Sequence, residues 1–278
     1  ADKGEMPLDH QYEFSFDITV SKPKDFKKVK DHATGRWNQE PEASTDTKEF
    51  PTWQPNPDKS WITQDADGKW QAVIDPEETN ATGADTKKFL DGDKVASVVN
   101  ATVGANLIEA PERFEITDDW SAADYIWDGP TDAKDVRVYA AEATTDHQSS
   151  VADIVNDGRD VTEHFDITID GTKATASAKK EYRETLKGLD KPLQVTLLLP
   201  GEINFANGGG AEQVREDFGR EPGSELTFCA APDASGDPSD TTLTNKGSET
   251  VNDHTVPTNE PWICGYVPPV EKDVIGEA

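Results

Sequence analysis

The side chains with chemistry to offer are two cysteines and a large surplus of carboxylates. Cys229, in Leu226-Thr227-Phe228-Cys229, and Cys264, in Trp262-Ile263-Cys264, both sit in strand-like contexts. Two lone cysteines on late strands of an acidic β-protein fit one disulfide formed in an oxidising compartment. There is no CxxC pair and His is scarce, so the usual zinc pattern is absent. Asp65-x-Asp67-Gly68 opens like a calcium loop, but the position for its closing Glu holds Pro76. Irregular calcium sites would belong in the acidic loops near Asp118, Asp119 and Asp124, or between Asp153 and Asp160, although turn chemistry alone accounts for most of these residues. Asp118 or Asp119 with Glu115 or Glu142 would make a glycosidase pair, yet so acidic a chain produces such pairs by chance. No Gly-x-Ser-x-Gly phrase is present. Asn207-Gly208-Gly209-Gly210 lacks the Lys-Ser/Thr and the helix start of a phosphate loop, and it reads as a flexible loop. His10, His32, His147, His164 and His254 are scattered in polar surroundings and are read as surface residues. Trp37, Trp53 or Trp127, if exposed, would stack on a sugar; packing is the ordinary role.

The 278 residues that position these groups suit one large β-domain or two smaller ones. A net charge of −28 disfavours nucleic acid and anionic membrane, because both polyanions select basic patches. No apolar run reaches the length of a membrane span, which argues against membrane insertion.

Hydrophobic periodicity is strand-like along most of the chain. Tyr12, Phe14, Phe16, Ile18 and Val20 alternate on one face, predicting a strand. Residues 22–57 read as an irregular segment pinned by aromatics. A hairpin is predicted around Asp65-Ala66-Asp67-Gly68. Further strands are predicted at 94–103, 114–117, 136–139, 165–169, 195–199, 225–229, 241–245, 249–251 and 262–267. Residues 175–186, rich in Ala, Lys and Glu, form the best helix candidate, stopped by Gly188. Many short strands, frequent Gly/Asp turns and one short helical excursion point to a mainly β protein, an antiparallel β-sandwich.

The closing phrase Pro268-Pro269-Val270-Glu271-Lys272-Asp273-Val274 echoes Pro55-Asn56-Pro57-Asp58-Lys59-Ser60-Trp61. A repeated domain-opening phrase suggests a slice of a modular array, with Lys272 opening the next copy. The phrases Phe89-Leu90-Asp91-Gly92-Asp93-Lys94-Val95, Phe114-Glu115-Ile116-Thr117-Asp118-Asp119-Trp120, Leu186-Lys187-Gly188-Leu189 and Thr242-Leu243-Thr244-Asn245-Lys246-Gly247-Ser248 resemble the C-terminal repeat domains of Gram-positive fibrillar surface adhesins. The resemblance is to the antigen I/II type, with isopeptide-forming adherence domains, and covers about 57 to 270. The expected organisation is 1–56 as an N-terminal strand and irregular segment, the tail of a preceding module; 57–270 as the adhesin domain; and 271–278 as the start of the next repeat.

The resemblance implies a variant immunoglobulin-like fold of the DE-variant type. It also implies an amide bond between a Lys near the first strand and an Asn near the last, promoted by an acid. Carried onto this chain, the Lys is Lys59, the acceptor Asn245 and the acid Asp118, with Asp119 as its alternative. Ser60-Trp61 replaces the Asp-Val expected after the Lys, which keeps Lys69 and Lys94 as alternative nucleophiles. Asn259, between Pro257 and Pro261, is a less favoured acceptor. The chemistry is coherent in itself. A Lys amine attacks only when neutral, and burial favours neutrality; Trp61 would help supply a dry surround. An Asn carbonyl needs polarising, which a buried protonated carboxylic acid can do. Asp118 alternates in phase with Phe114 and Ile116 and so should point inward.

The resulting expectation is a structural and adhesive stalk module of a cell-wall-anchored, extracellular surface protein, not an enzyme beyond one self-crosslinking turnover. It requires no cofactor, structural calcium being the one ion the acidic loops would accommodate. Its partners would be neighbouring modules of the same protein and a host receptor or glycan. A ligand-binding module and a carbohydrate-active enzyme are the two competing classes.

Overall fold

The computed structural model describes residues 29–35, 43–44, 48–50, 55–73, 88–107, 109–143, 151–232 and 238–270. The chain divides into two compact units, Ala1–Thr52 and Trp53–Ala278. In the first, β1 (Val29–Asp31) pairs with β4 (Lys48–Phe50), and β2 (Thr34–Gly35) with β3 (Ala43–Ser44). The strand expected at 12–21, Trp37, Trp53 and Lys272 lie outside the described residues.

In chain order the second unit carries β5 (Asp58–Gln64), β6 (Trp70–Ala72), β7 (Lys88–Phe89), β8 (Lys94–Val103), β9 (Phe114–Asp119), β10 (Trp127–Asp128) and β11 (Arg137–Glu142). Then come α1 (Val151–Asp157), β12 (Arg159–Asp160), β13 (Phe165–Asp170), β14 (Lys173–Ala178), α2 (Lys180–Thr185), β15 (Leu193–Ile203) and α3 (Ala211–Asp217). The last strands are β16 (Leu226–Phe228), β17 (Ala230–Pro232), β18 (Pro238–Thr242), β19 (Lys246–Val251), β20 (His254–Pro257) and β21 (Cys264–Val267).

Two antiparallel sheets form the sandwich. One runs β12-β11-β15-β8-β5-β6, with β10 also on β15; the other runs β13-β14-β9-β19-β20. A smaller sheet, β16-β21-β7, contains the one parallel pairing among the described strands, β21 with β7. The structure is thus mainly antiparallel β with three short α-helices.

The strands bury what their patterns say they should. On β9, Phe114, Ile116 and Asp118 are buried, while Glu115, Thr117 and Asp119 are only half-buried, the period-two signature of a sheet with one covered face. By contrast, β8 is buried at every position after Lys94. Val95, Val99, Ala101 and Val103 join the main core, whereas Ala96 and Val98 join Ile62, Leu198 and α1 residues Val151 and Val155 in a second cluster. A strand covered on both faces reads as a continuous apolar run rather than an alternation.

The helix expected at 175–186 is a strand followed by a shorter helix. Residues 173–178 form β14, paired with both β13 and β9, and only Lys180–Thr185 is helical. Ala174, Ala176 and Ala178 are the buried positions of β14, so small side chains that favour a helix in isolation serve here as inward-facing strand residues. Partner strands on both sides outweigh propensity. The 207–210 loop is also more ordered than expected: Phe205–Gly208 is a 3-10 turn and α3 follows at Ala211. Buried Arg215 of α3 donates to Ser224 O at 2.7 Å and Pro268 O at 2.6 Å, pinning the C-terminal end of the described chain. No helix among the described residues is long and apolar enough to cross a membrane.

Candidate functional site

The two sheets meet around four fully or nearly fully buried polar side chains. Lys59 is the second residue of β5 and Ser97 lies on β8; Asp118 is on β9 of the opposite sheet, and Asn245 immediately precedes β19. All four have 0% exposure. In the β5–β8 register Trp61 faces Ser97 and Lys59 faces Val99, which puts Lys59 diagonally beside Ser97 on the inward face. On the other sheet Gly247 lies opposite Asp118. A Cβ on Gly247 would come within 2.8 Å of Val99 Cγ2, so only glycine lets β19, and Asn245 with it, approach β8 this closely.

The bonds are short and converge. Lys59 Nζ lies 2.5 Å from Asp118 Oδ2 and donates to Ser97 Oγ at 2.8 Å. The Ser97 hydroxyl donates to Asp118 Oδ2 at 2.6 Å and accepts from Asn245 Nδ2 at 2.9 Å. Asp118 Oδ1 and Asn245 Oδ1 are buried without a hydrogen-bond partner. An orphaned pair of buried oxygens is costly; here one belongs to the carbonyl that would have to be polarised and the other to the acid that could do it. Burial holds the Lys59 amine below its ordinary value, with the neighbouring Asp118 carboxylate opposing that shift.

Neighbouring groups fix the frame. Asn259 Oδ1 accepts from Lys59 N at 2.7 Å and its Nδ2 donates to Lys59 O at 2.9 Å, clamping the Lys59 backbone like an extra strand residue. Trp61 donates through Nε1 to Pro261 O at 3.3 Å and packs edge-on against Trp127, whose centroid is 5.1 Å away. Trp120 packs edge-on against the other side of Trp127 at 5.7 Å. Trp127 is itself fully buried, so its indole is a wall of the core and offers no sugar-stacking face.

The structure therefore brings together Lys59, Asp118 and Asn245. It separates the alternatives. Lys69 is exposed, and Lys94 pairs on the surface with Glu202. Asp119 accepts from Ser121 N at the strand end. Asn259 holds the Lys59 backbone instead of facing its amine. Ser97 and the clamping role of Asn259 were not anticipated. The available signal for Ser97 was a lone hydroxyl inside the apolar run Val95–Val99.

Cys229 and Cys264 form a disulfide with Cα atoms 4.1 Å apart. It lies close to the Asn245 segment along the backbone. Leu243 N donates to Cys229 O, Ile263 N to Leu243 O, and Asn245 N to Pro261 O. The bridge thus ties together the two strands that flank Asn245. Among the described residues no group of three or more His, Cys, Asp or Glu side chains is arranged to hold a metal ion.

A second buried acid lies between the sheets. Glu249 of β19 is fully buried; its Oε2 accepts weakly from Thr102 N at 3.4 Å and its Oε1 has no partner. Burial pushes its carboxyl from about 4.5 up to about 8. A folded-state value above the unfolded one means that the folded protein holds the extra proton. That contribution to stability is complete below about pH 4.5 and is lost as pH rises through about 8. Denaturant unfolding should therefore show stability declining between pH 5 and 8 with a slope approaching ~1.4 kcal/mol per pH unit from this group. Glu249→Gln should flatten that slope; an unchanged slope would assign the pH dependence elsewhere.

No family model matches the sequence, and no curated protein matches it. Solved structures do. The C-terminal domain of the Streptococcus agalactiae antigen I/II polypeptide BspA is similar at 11% identity and a TM-score of 0.45, over 88% of this chain and 60% of that one. The C-terminal domain of the Streptococcus pyogenes antigen I/II-family protein AspA is similar at 10% identity and a TM-score of 0.45, over 88% and 56%. The major pilin subunit BcpA of Bacillus cereus is similar at 11% identity and a TM-score of 0.38, over 80% and 45%. This chain spans about 60% of the length of the first of these. The antigen I/II domains are the group whose phrases the sequence resembles.

Proposed function

We propose that the second unit is a load-bearing module of an extracellular, cell-wall-anchored bacterial adhesin, locked by an amide bond between Lys59 and Asn245 and by the Cys229–Cys264 disulfide. The supporting observation is the meeting of an amine, a carboxyl and a carboxamide at 0% exposure across two sheets. In a dry site the charged Lys59–Asp118 pair and its neutral counterpart differ by one proton moved over 2.5 Å. The neutral amine attacks Cγ of Asn245 and the C=O electron pair moves onto Oδ1. The tetrahedral centre then collapses, Nδ2 leaves with three hydrogens as ammonia, and Nζ keeps one hydrogen in the new amide. Asp118 takes up and returns protons and is unchanged overall. The fold holds both reacting groups on one hydroxyl, Ser97 Oγ, so proximity does the work that a turning-over enzyme spreads over many substrates. The module's partners are then neighbouring modules and whatever the assembled protein grips.

The test is intact mass under denaturing, non-reducing conditions. The protein should fall short of its sequence mass by one ammonia and two hydrogens, and fragmentation should join the Lys59 and Asn245 peptides. Asp118→Ala should regain the ammonia while keeping the disulfide. A wild-type protein that retains its ammonia would rule out the crosslink.

A further inference from the structure

We infer that Ser97 is the proton relay and alignment group of the crosslinking reaction, touching both the entering and the leaving nitrogen. The inference rests on the Lys59–Asn245 crosslink as the function of this site.

Ser97 Oγ has one proton to give and two lone pairs to receive. The three neighbours use all of that capacity: the proton goes to Asp118 Oδ2 at 2.6 Å, and the lone pairs accept Lys59 Nζ at 2.8 Å and Asn245 Nδ2 at 2.9 Å. Two consequences follow. First, a hydroxyl whose proton is committed to a carboxylate can only accept from the amide, so Nδ2 must face Ser97 and the Asn245 carbonyl oxygen must face away. The orientation of the carboxamide is thereby set before reaction. Second, nucleophile and leaving group hydrogen-bond to one oxygen, on the inward face of a strand buried on both sides.

The same geometry supplies a proton route. Asp118 contacts Lys59 directly, but among the described residues its hydrogen-bonded link to the Asn245 nitrogen runs through Ser97. After Nζ attacks Cγ, Nζ carries one proton too many and Nδ2 one too few. Ser97 passes its hydroxyl proton to Nδ2 and takes the proton of Asp118; Asp118 is restored from Nζ. The Cγ–Nδ2 bond breaks, its electron pair leaves with ammonia, and Ser97 and Asp118 end as they began. No oxidant, reductant or further reactant is needed.

The experiment follows full-length chains made by cell-free translation, sampled over time by denaturing intact mass, with near-ultraviolet circular dichroism to report folding. Wild type should lose one ammonia early. Ser97→Ala should fold and lose it about 100-fold more slowly, at the low end of what positioned proton transfer contributes. Ser97→Thr, which keeps the hydroxyl, should recover at least a tenth of the wild-type rate, a recovery that a purely space-filling role would not give. If Ser97→Ala does not fold, Ser97→Val, which keeps the shape of the Thr variant without its hydroxyl, is read against the same expectation. A folded Ala or Val variant that crosslinks within about threefold of wild type overturns the relay and leaves the crosslink standing. A folded Ser97→Thr protein no faster than Ser97→Ala also overturns it. A wild-type chain that keeps its ammonia overturns the crosslink and the relay together.

Discussion

Lys59→Met should leave the protein at its full sequence mass less two hydrogens and should lower its unfolding free energy by well over 5 kcal/mol. Two separate losses contribute. The crosslink would close a loop spanning most of the unit, worth about 5 kcal/mol by the chain-entropy model. Removing Lys59 also takes away the N–H, kept in the amide, that faces Asp118 Oδ2, and leaves that carboxyl at 0% exposure with one donor fewer. Leaving a buried acceptor short of its donor costs about 1–3 kcal/mol. The second loss can be measured on its own. Lys59→Met with Asp118→Asn also lacks the crosslink but buries no ionisable carboxyl there, so it should be more stable than Lys59→Met alone by about 1–3 kcal/mol. Denaturant unfolding under non-reducing conditions reads both values. Equal stability of the single and double variants would mean that Asp118 does not depend on Lys59. Ammonia loss persisting in Lys59→Met would move the nucleophile elsewhere, although Lys69 and Lys94 sit on the surface.

How much of this could be read from residues alone depends on where each residue sits. Asp118 was legible because β9 has one covered face: Phe114, Ile116 and Asp118 share a phase, and the structure buries all three. Lys59 and Asn245 were put forward by resemblance to adhesin domains alone, and nothing local marks either as buried. Ser97 was hidden by its strand. In a strand buried on both faces, period two carries no information about direction, and only the pairing of Ser97 with Trp61 shows that it faces inward. Asn259 looked like a loop residue between two prolines. Its function comes from the backbone of Lys59, 200 positions away, a contact that no local pattern encodes.

The misread helix has a related cause. Thr175 to Ala178 has the composition of a helix start, but Ala174, Ala176 and Ala178 are the inward positions of a central strand. Alanine there keeps β14 thin where it packs, and the two neighbouring strands satisfy its backbone. Glu249 was read only as part of a strand. Its burial, and with it the pH dependence, follows from the neighbouring sheet closing over it at Thr102.

The second large effect concerns force. Pulled from its two ends, the wild-type second unit should release little length. With the proposed amide in place, tension enters at Lys59, crosses to Asn245, and leaves along the segment that carries β19, β20 and β21. Everything between Lys59 and Asn245 stays outside the line of force, including β8, β9 and β15, the central strands of the two sheets. The disulfide changes this little, because Cys229 lies inside the crosslinked loop and Cys264 just beyond it. In Lys59→Met the disulfide alone remains, and the path from residue 59 to Cys229 becomes extensible. At ~3.6 Å per residue that adds roughly 60 nm of contour length. Single-molecule extension with cysteine-free handles should show that step in the variant and only a few nanometres in wild type. The comparison separates the two covalent links, since reducing the disulfide in wild type should add almost nothing. A wild-type trace with the 60 nm step would show that the load passes through the hydrogen bonds of the sheets, and that the buried cluster of Lys59, Ser97, Asp118 and Asn245 holds charge without bearing force.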